Sequence, residues 1–283
     1  MSKRNRAMLF YVSVAFGITW LVWLPFLWAA RSGRPAPDPF LYYLAAGGPF
    51  VGALVAERYE RGWPGVRDVL RRLIDWRRPG WWVIVGIGSP LLLIPLAVVP
   101  GYLATGAWPA WGGVGVSTRS PGLGPVANWL LMTVSYGVGE ETGWRGFLLP
   151  RLQSTRSALR ATLLLTAIWA PWHLPAFGFR EGYVGLGVVG TAGFLIGLVA
   201  GAIVLTSLYN ASRGSILVVA LWHGSWNWVA TSDAFAGTWV AIMTTVIMVA
   251  APLIVLACGT RNLAPSDRQM LPASPQQGLI ADH

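Results

Sequence analysis

Eight apolar stretches, each about as long as a helix that crosses a bilayer core, punctuate this chain. They run Met8–Ala30, Phe40–Ala56, Trp81–Ala104, Gly124–Pro150, Ala161–Phe179, Tyr183–Leu208, Ser215–Ser232 and Ala234–Cys258. Hydrocarbon offers no partner for backbone N–H and C=O groups, so a segment that crosses it must satisfy them internally, as a helix does. The fourth stretch is interrupted by Glu140, Glu141 and Arg145. It is kept as a span because the alternation of sides along the chain fails without it. The expected fold class is all-α, a polytopic integral membrane protein of about eight transmembrane helices.

A formal charge of +10 invites a nucleic-acid reading, but the position of the basic residues decides otherwise. With the N-terminus placed in the cytoplasm, eight spans put 17 of the 21 Lys and Arg residues on the inner side. Only Arg31, Arg34, Arg119 and Arg180 fall outside. This is the positive-inside bias of a bacterial-type inner (plasma) membrane protein with both termini cytoplasmic, and nucleic acid drops out as a partner. The first stretch follows Lys3, Arg4 and Arg6 but exceeds the roughly 7–15 apolar residues of a signal peptide, so it reads as an uncleaved helix.

Between the second and third spans, Val66, Val69, Leu70, Leu73 and Ile74 recur at helical spacing, with Arg67, Arg71 and Arg72 opposite. That pattern predicts an amphipathic helix over about residues 66–76, lying in the headgroup plane as an anchor. Residues 262–283 lack periodicity and predict a disordered cytoplasmic tail, leaving 1–261 as one membrane domain.

Ionisable side chains are costly inside a bilayer and mark function there. Of the 11 acidic residues only Glu140 and Glu141 fall within a span, and of three histidines only His173 and His223. At 1.5 Å per residue all of them lie roughly 15–20 Å from the cytoplasmic ends of their helices. Asn227 lies one turn beyond His223 on the same face. Helical spacing sets Arg145 over Glu141 as an ion pair, while Glu140 points about 100° away and is free to face a cavity as a general base. A purely structural Glu–Arg clamp is the competing reading; it needs one glutamate and leaves the other unexplained. Pro171 and Pro175 flank His173, and Gly224 beside His223 admits a close helix.

The single cysteine excludes a disulfide framework and any cysteine-based zinc site, and neither HExxH nor GxSxG occurs. Glutamate, two histidines and an asparagine remain, a set suited to activating water. Two imidazoles and a carboxylate, Glu140, His173 and His223, would also suit Zn²⁺ with one position left for water, and a metal-free mechanism is equally open.

The run Glu140-Glu141-Thr142-Gly143-Trp144-Arg145 resembles the EExxxR motif of the CAAX prenyl endopeptidase and bacteriocin-processing (CPBP or Abi) family of intramembrane proteases. His223-Gly224-Ser225-Trp226-Asn227 resembles its HxxxN motif. Trp169-Ala170-Pro171-Trp172-His173 resembles FxxxH with Trp in place of Phe, a departure expected to touch packing alone. The resemblance implies a conical, cytoplasm-facing cavity and an endopeptidase in which Glu140 activates water with help from His173. It further implies that His223 and Asn227 hold the oxyanion while Glu141 and Arg145 shape the site. Membrane lipid and a peptide or membrane-protein substrate are the partners so implied; the oligomeric state stays open. A non-catalytic scaffold or bacteriocin-immunity protein of the same fold is the main alternative, with a proton-coupled transporter behind it. The intact motif set weighs against the first, and the absence of inverted-repeat polar segments against the second.

Overall fold

The computed structural model describes residues 1–77 and 80–271, and these are helices and turns without a strand among them. Each of the eight apolar stretches is helical over most of its length. Five helical segments are long and apolar enough to cross a membrane: Lys3–Ser32, Pro39–Arg61, Trp82–Thr105, Gly187–Ala211 and Thr238–Asn262. The chain is therefore a polytopic membrane protein. Bulky apolar side chains on its outer faces, Leu103, Val188 and Leu256 among them, are more than three-quarters exposed, which is tolerable only against lipid.

In chain order, α1 is Lys3–Ser32, α2 Pro39–Leu44, α3 Gly47–Arg61, α4 Trp63–Ile74, α5 Trp82–Leu91 and α6 Leu93–Thr105. The fourth apolar stretch is helical from Pro125 to Gln153 but not uniformly α: α7 (Pro125–Met132), α8 (Glu141–Gly143) and α9 (Leu149–Gln153) alternate with π-helical turns at Thr133–Glu140 and Trp144–Leu148. Then come α10 (Ala158–Trp172), α11 (Gly187–Ala211), α12 (Ile216–Thr231) and α13 (Thr238–Asn262).

Three boundaries depart from the sequence reading. The fifth stretch stops being α-helical at Trp172, because Pro175 bars the α conformation at Leu174, and a 3₁₀ segment Leu174–Gly178 follows. The sixth starts at Gly187, after Gly185 and Gly187 turn the chain through positive φ, so Tyr183 lies outside the helix. The eighth starts at Thr238, after a 3₁₀ turn Asp233–Phe235.

The amphipathic helix α4 is present but docks rather than merely floating. Gly65, Val66 and Val69 are buried, and Arg72, expected on the solvent face, turns inward to donate to the Gly146 carbonyl (3.0 Å) and the Tyr209 hydroxyl (2.8 Å). A charged lattice continues from there. Arg151, 1% exposed, pairs with Glu57 (3.0 Å) and Glu60 (2.6 Å), and Arg61 joins Glu57 to Asp68. Arg4 donates to Ser154 and to the Arg151 carbonyl, which closes α1 onto the same end.

The expected disordered tail is held at its start. Leu263 and Ala264 are buried, Asn210 and Gln153 bind each other, and the Asn262 carbonyl, Ser266, Arg268 and Gln269 all hydrogen-bond to that amide pair or its backbone. Short polar residues without periodicity can still order when buried amides supply their partners. Residues 272–283 of that tail lie outside the described ones.

Candidate active site

Two serine-capped helices carry the histidines. Ser157 Oγ accepts from the Arg160 amide to start α10, and Ser215 Oγ accepts from the Val218 amide to start α12. His173 is the C-terminal cap of α10, and His223 sits mid-way along α12, against the π-helical turn that ends at Glu140. Close packing of these two segments requires glycine on both sides. A Cβ on Gly224 would sit 2.5 Å from Thr133 Cα, and one on Gly137 would overlap the Ala220 carbonyl. The close approach expected at Gly224 is thus present, and the glycine that meets it from the opposite helix was not foreseen.

Four of the six residues selected from sequence, Glu140, His173, His223 and Asn227, line one cavity of ≈ 600 Å³ between α10, α11, α12 and α13. The other two, Glu141 and Arg145, are fully buried behind it. Arg145 Nη1 donates to Glu141 Oε1 at 2.9 Å, the pair that i,i+4 spacing predicts. The same Glu141 oxygen lies 2.7 Å from His223 Nδ1. One carboxylate therefore serves the guanidinium and the imidazole, a tertiary contact between helices that spacing within either helix does not reveal.

Both histidines present Nδ1 to an acceptor. His173 Nδ1 lies 3.0 Å from the Trp169 carbonyl, which can only accept, so Nδ1 carries a proton. His223 Nδ1 lies against the Glu141 carboxylate and is oriented in the same way. Glu140 Oε2 accepts from Trp169 Nε1 at 2.9 Å. The Asn227 side-chain amide has no hydrogen bond to another described residue and faces the cavity.

π-helical turns bracket the glutamates and occur disproportionately at functional sites, because the extra residue per turn re-aims side chains. Sequence periodicity alone does not expose them. Tyr136, one π turn before Glu140, also lines the cavity, and Tyr11 on α1 stacks edge-on to Trp144; neither was selected from sequence.

Among the described residues, no three His, Cys, Asp or Glu side chains, Glu140, His173 and His223 included, stand gathered as a metal-ligand group.

The fold and cavity define a polytopic helical membrane protein with a buried carboxylate–imidazole–amide site. Residues 122–229 match the family model of type II CAAX prenyl endopeptidase Rce1-like proteins. Over 103 residues the chain is 27% identical to CAAX prenyl protease 2 of Methanococcus maripaludis, a match that covers 35% of this chain and 37% of the relative. Both findings support the family read from the motifs, that of the CAAX prenyl endopeptidases and bacteriocin-processing proteins. The segment matched by the model contains all six motif residues.

Proposed function

We propose that this protein is an intramembrane endopeptidase that hydrolyses a peptide bond with water activated by Glu140. The observation that carries the reading is the convergence of Glu140, His173, His223 and Asn227 on one cavity inside a membrane bundle. Two acceptors and two donors are what addition of water to a carbonyl requires. Glu140 takes one proton from the water as its oxygen bonds to the carbonyl carbon, and His173 Nε2 accepts a hydrogen bond from the O–H that remains and fixes its direction; the C–N bond breaks as the oxyanion collapses. The oxyanion that forms on the scissile carbonyl is held by Asn227 and by His223, whose ring Glu141 orients. Donors placed where negative charge develops act mainly in the transition state. Glu140 then delivers its proton to the leaving amine. Arg145 pairs with Glu141 and holds it in place.

The apolar lining contributed by α11 and α13 suits a substrate that reaches the site from the membrane. The likeness to the CAAX prenyl protease 2 of Methanococcus points to a CAAX prenyl protein as the substrate class. The matching test compares peptide ends in membranes carrying the wild-type chain and Glu140→Gln, alongside cleavage of a quenched fluorescent farnesylated CAAX peptide by the purified proteins. New termini and fluorescence with wild type alone are expected; loss of a general base costs about 10²–10⁴ in rate. Cleavage retained in Glu140→Gln would refute the mechanism.

A further inference from the structure

Trp169 stands where the resembled motif carries Phe, and the indole does something a phenyl ring cannot. Its Nε1–H donates to Glu140 Oε2 at 2.9 Å, while its backbone carbonyl holds His173 Nδ1 at 3.0 Å. The same ring lies 4.7 Å beneath the Arg145 guanidinium and meets the His223 ring edge-on, centroids 5.9 Å apart. At 4% exposure it is held between these groups and Trp144, packed at 6.1 Å, with one side on the cavity. One residue thus touches Glu140, Arg145, His173 and His223. The substitution therefore reaches beyond packing, contrary to the expectation from sequence.

We propose that Trp169 is a positioning residue: its indole N–H occupies one oxygen of Glu140 and thereby presents the other to the water. The physical case is one of lone pairs and rotamers. A buried carboxylate with both oxygens free has no reason to prefer one rotamer over the others, and a hydrogen bond to one oxygen from a donor that cannot move selects a single orientation. Trp169 is held in one orientation by the aromatic and cationic neighbours just named, and its own carbonyl is tied to His173. The N–H is used up in this contact, so Trp169 itself gives nothing to substrate. Its effect should fall on turnover rather than on binding. The inference rests on the endopeptidase reading for its catalytic consequence, but not for the contact itself.

The test uses the full chain in lipid nanodiscs and two variants, Trp169→Phe and Trp169→benzothienylalanine, the second of which keeps the bicyclic shape and replaces the N–H with sulfur. With the farnesylated CAAX peptide as probe, both variants are expected to lower kcat about tenfold to a hundredfold, the range for a hydrogen bond to a charged group, with KM within about twofold of wild type. In the Glu140→Gln background, Trp169→Phe should add no further loss. Independently of any substrate, the Glu140 carboxyl band, isolated as the infrared difference between wild type and Glu140→Gln, should shift in both Trp169 variants. Wild-type kcat in the benzothienyl variant, or an unmoved carboxyl band, would overturn the positioning role while leaving the endopeptidase reading intact. A shifted band in a chain that cleaves no peptide would establish the contact and refute the endopeptidase reading instead. A loss confined to KM would show that Trp169 shapes the cavity and would overturn the proposal.

Discussion

Removing the negative charge from Glu141 is the sharpest probe of how the site is held. Glu141 and Arg145 are both fully buried, and Arg145 has no other ion-pair partner in direct contact among the described residues; its Nε and Nη2 make no hydrogen bond. Glu141→Gln keeps the shape and an acceptor for His223 but leaves a buried guanidinium without its ion-pair partner. Breaking such a pair from one side costs about 3–5 kcal/mol. At roughly 2–4 °C per kcal/mol for a chain of this size, the melting temperature should fall by about 6–20 °C. Taking both charges away is different in kind. In Glu141→Gln with Arg145→Met the stranded cation is gone and a flexible apolar chain fills its space over the Trp169 ring, so most of the lost stability should return. The assay is thermal unfolding followed by tryptophan fluorescence in nanodiscs at one fixed scan rate, with wild type, both single variants and the double variant as a cycle. A single Glu141→Gln variant that melts within about 2 °C of wild type would refute the reasoning, as would a double variant whose loss equals the sum of the singles. Peptide cleavage should stay low in every member of the cycle that lacks Glu141, because the His223 ring has lost the carboxylate that orients it even where the fold is rescued.

Other outcomes follow from the same geometry. Asn227→Ala should lower kcat with little change in KM, at a cost of about 3–4 kcal/mol in transition-state stabilisation; Asn227→Asp should be slower still, since a carboxylate repels the developing oxyanion, and steady-state kinetics of both with and without chelator checks this. Gly137→Ala places a methyl against the Ala220 carbonyl and should destabilise the bundle, whereas Gly112→Ala, with open space around it, should not; melting temperatures decide. After Cys258→Ala, a membrane-impermeant thiol reagent should reach Arg67→Cys and Gly112→Cys from opposite sides, and labelling of both from one side would break the proposed orientation.

What sequence determined by itself was everything governed by the bilayer and by spacing along a single helix. Runs of about 20 apolar residues admit only helices in hydrocarbon, and ionisable groups are costly there, so the all-helical fold and the gathering of Glu140, His173 and His223 at one cavity were legible without coordinates. The Glu141–Arg145 pair was legible for the same reason, being four residues apart on one helix. Tertiary structure decided what depends on the meeting of distant segments. Glu141 reaches His223 across 82 residues, and Trp169 reaches Glu140 across 29; no periodicity encodes either approach. Arg72 turned inward because Gly146 and Tyr209 added acceptors beyond the Asp68 carboxylate on its own helix, and Asn262 to Gln269 ordered because Asn210 and Gln153 were waiting for partners. A hydrophobic pattern is a property of one segment and can be read one segment at a time. Hydrogen bonds between buried polar groups are short-ranged and directional, so they exist only once packing has brought both partners to within about 3 Å.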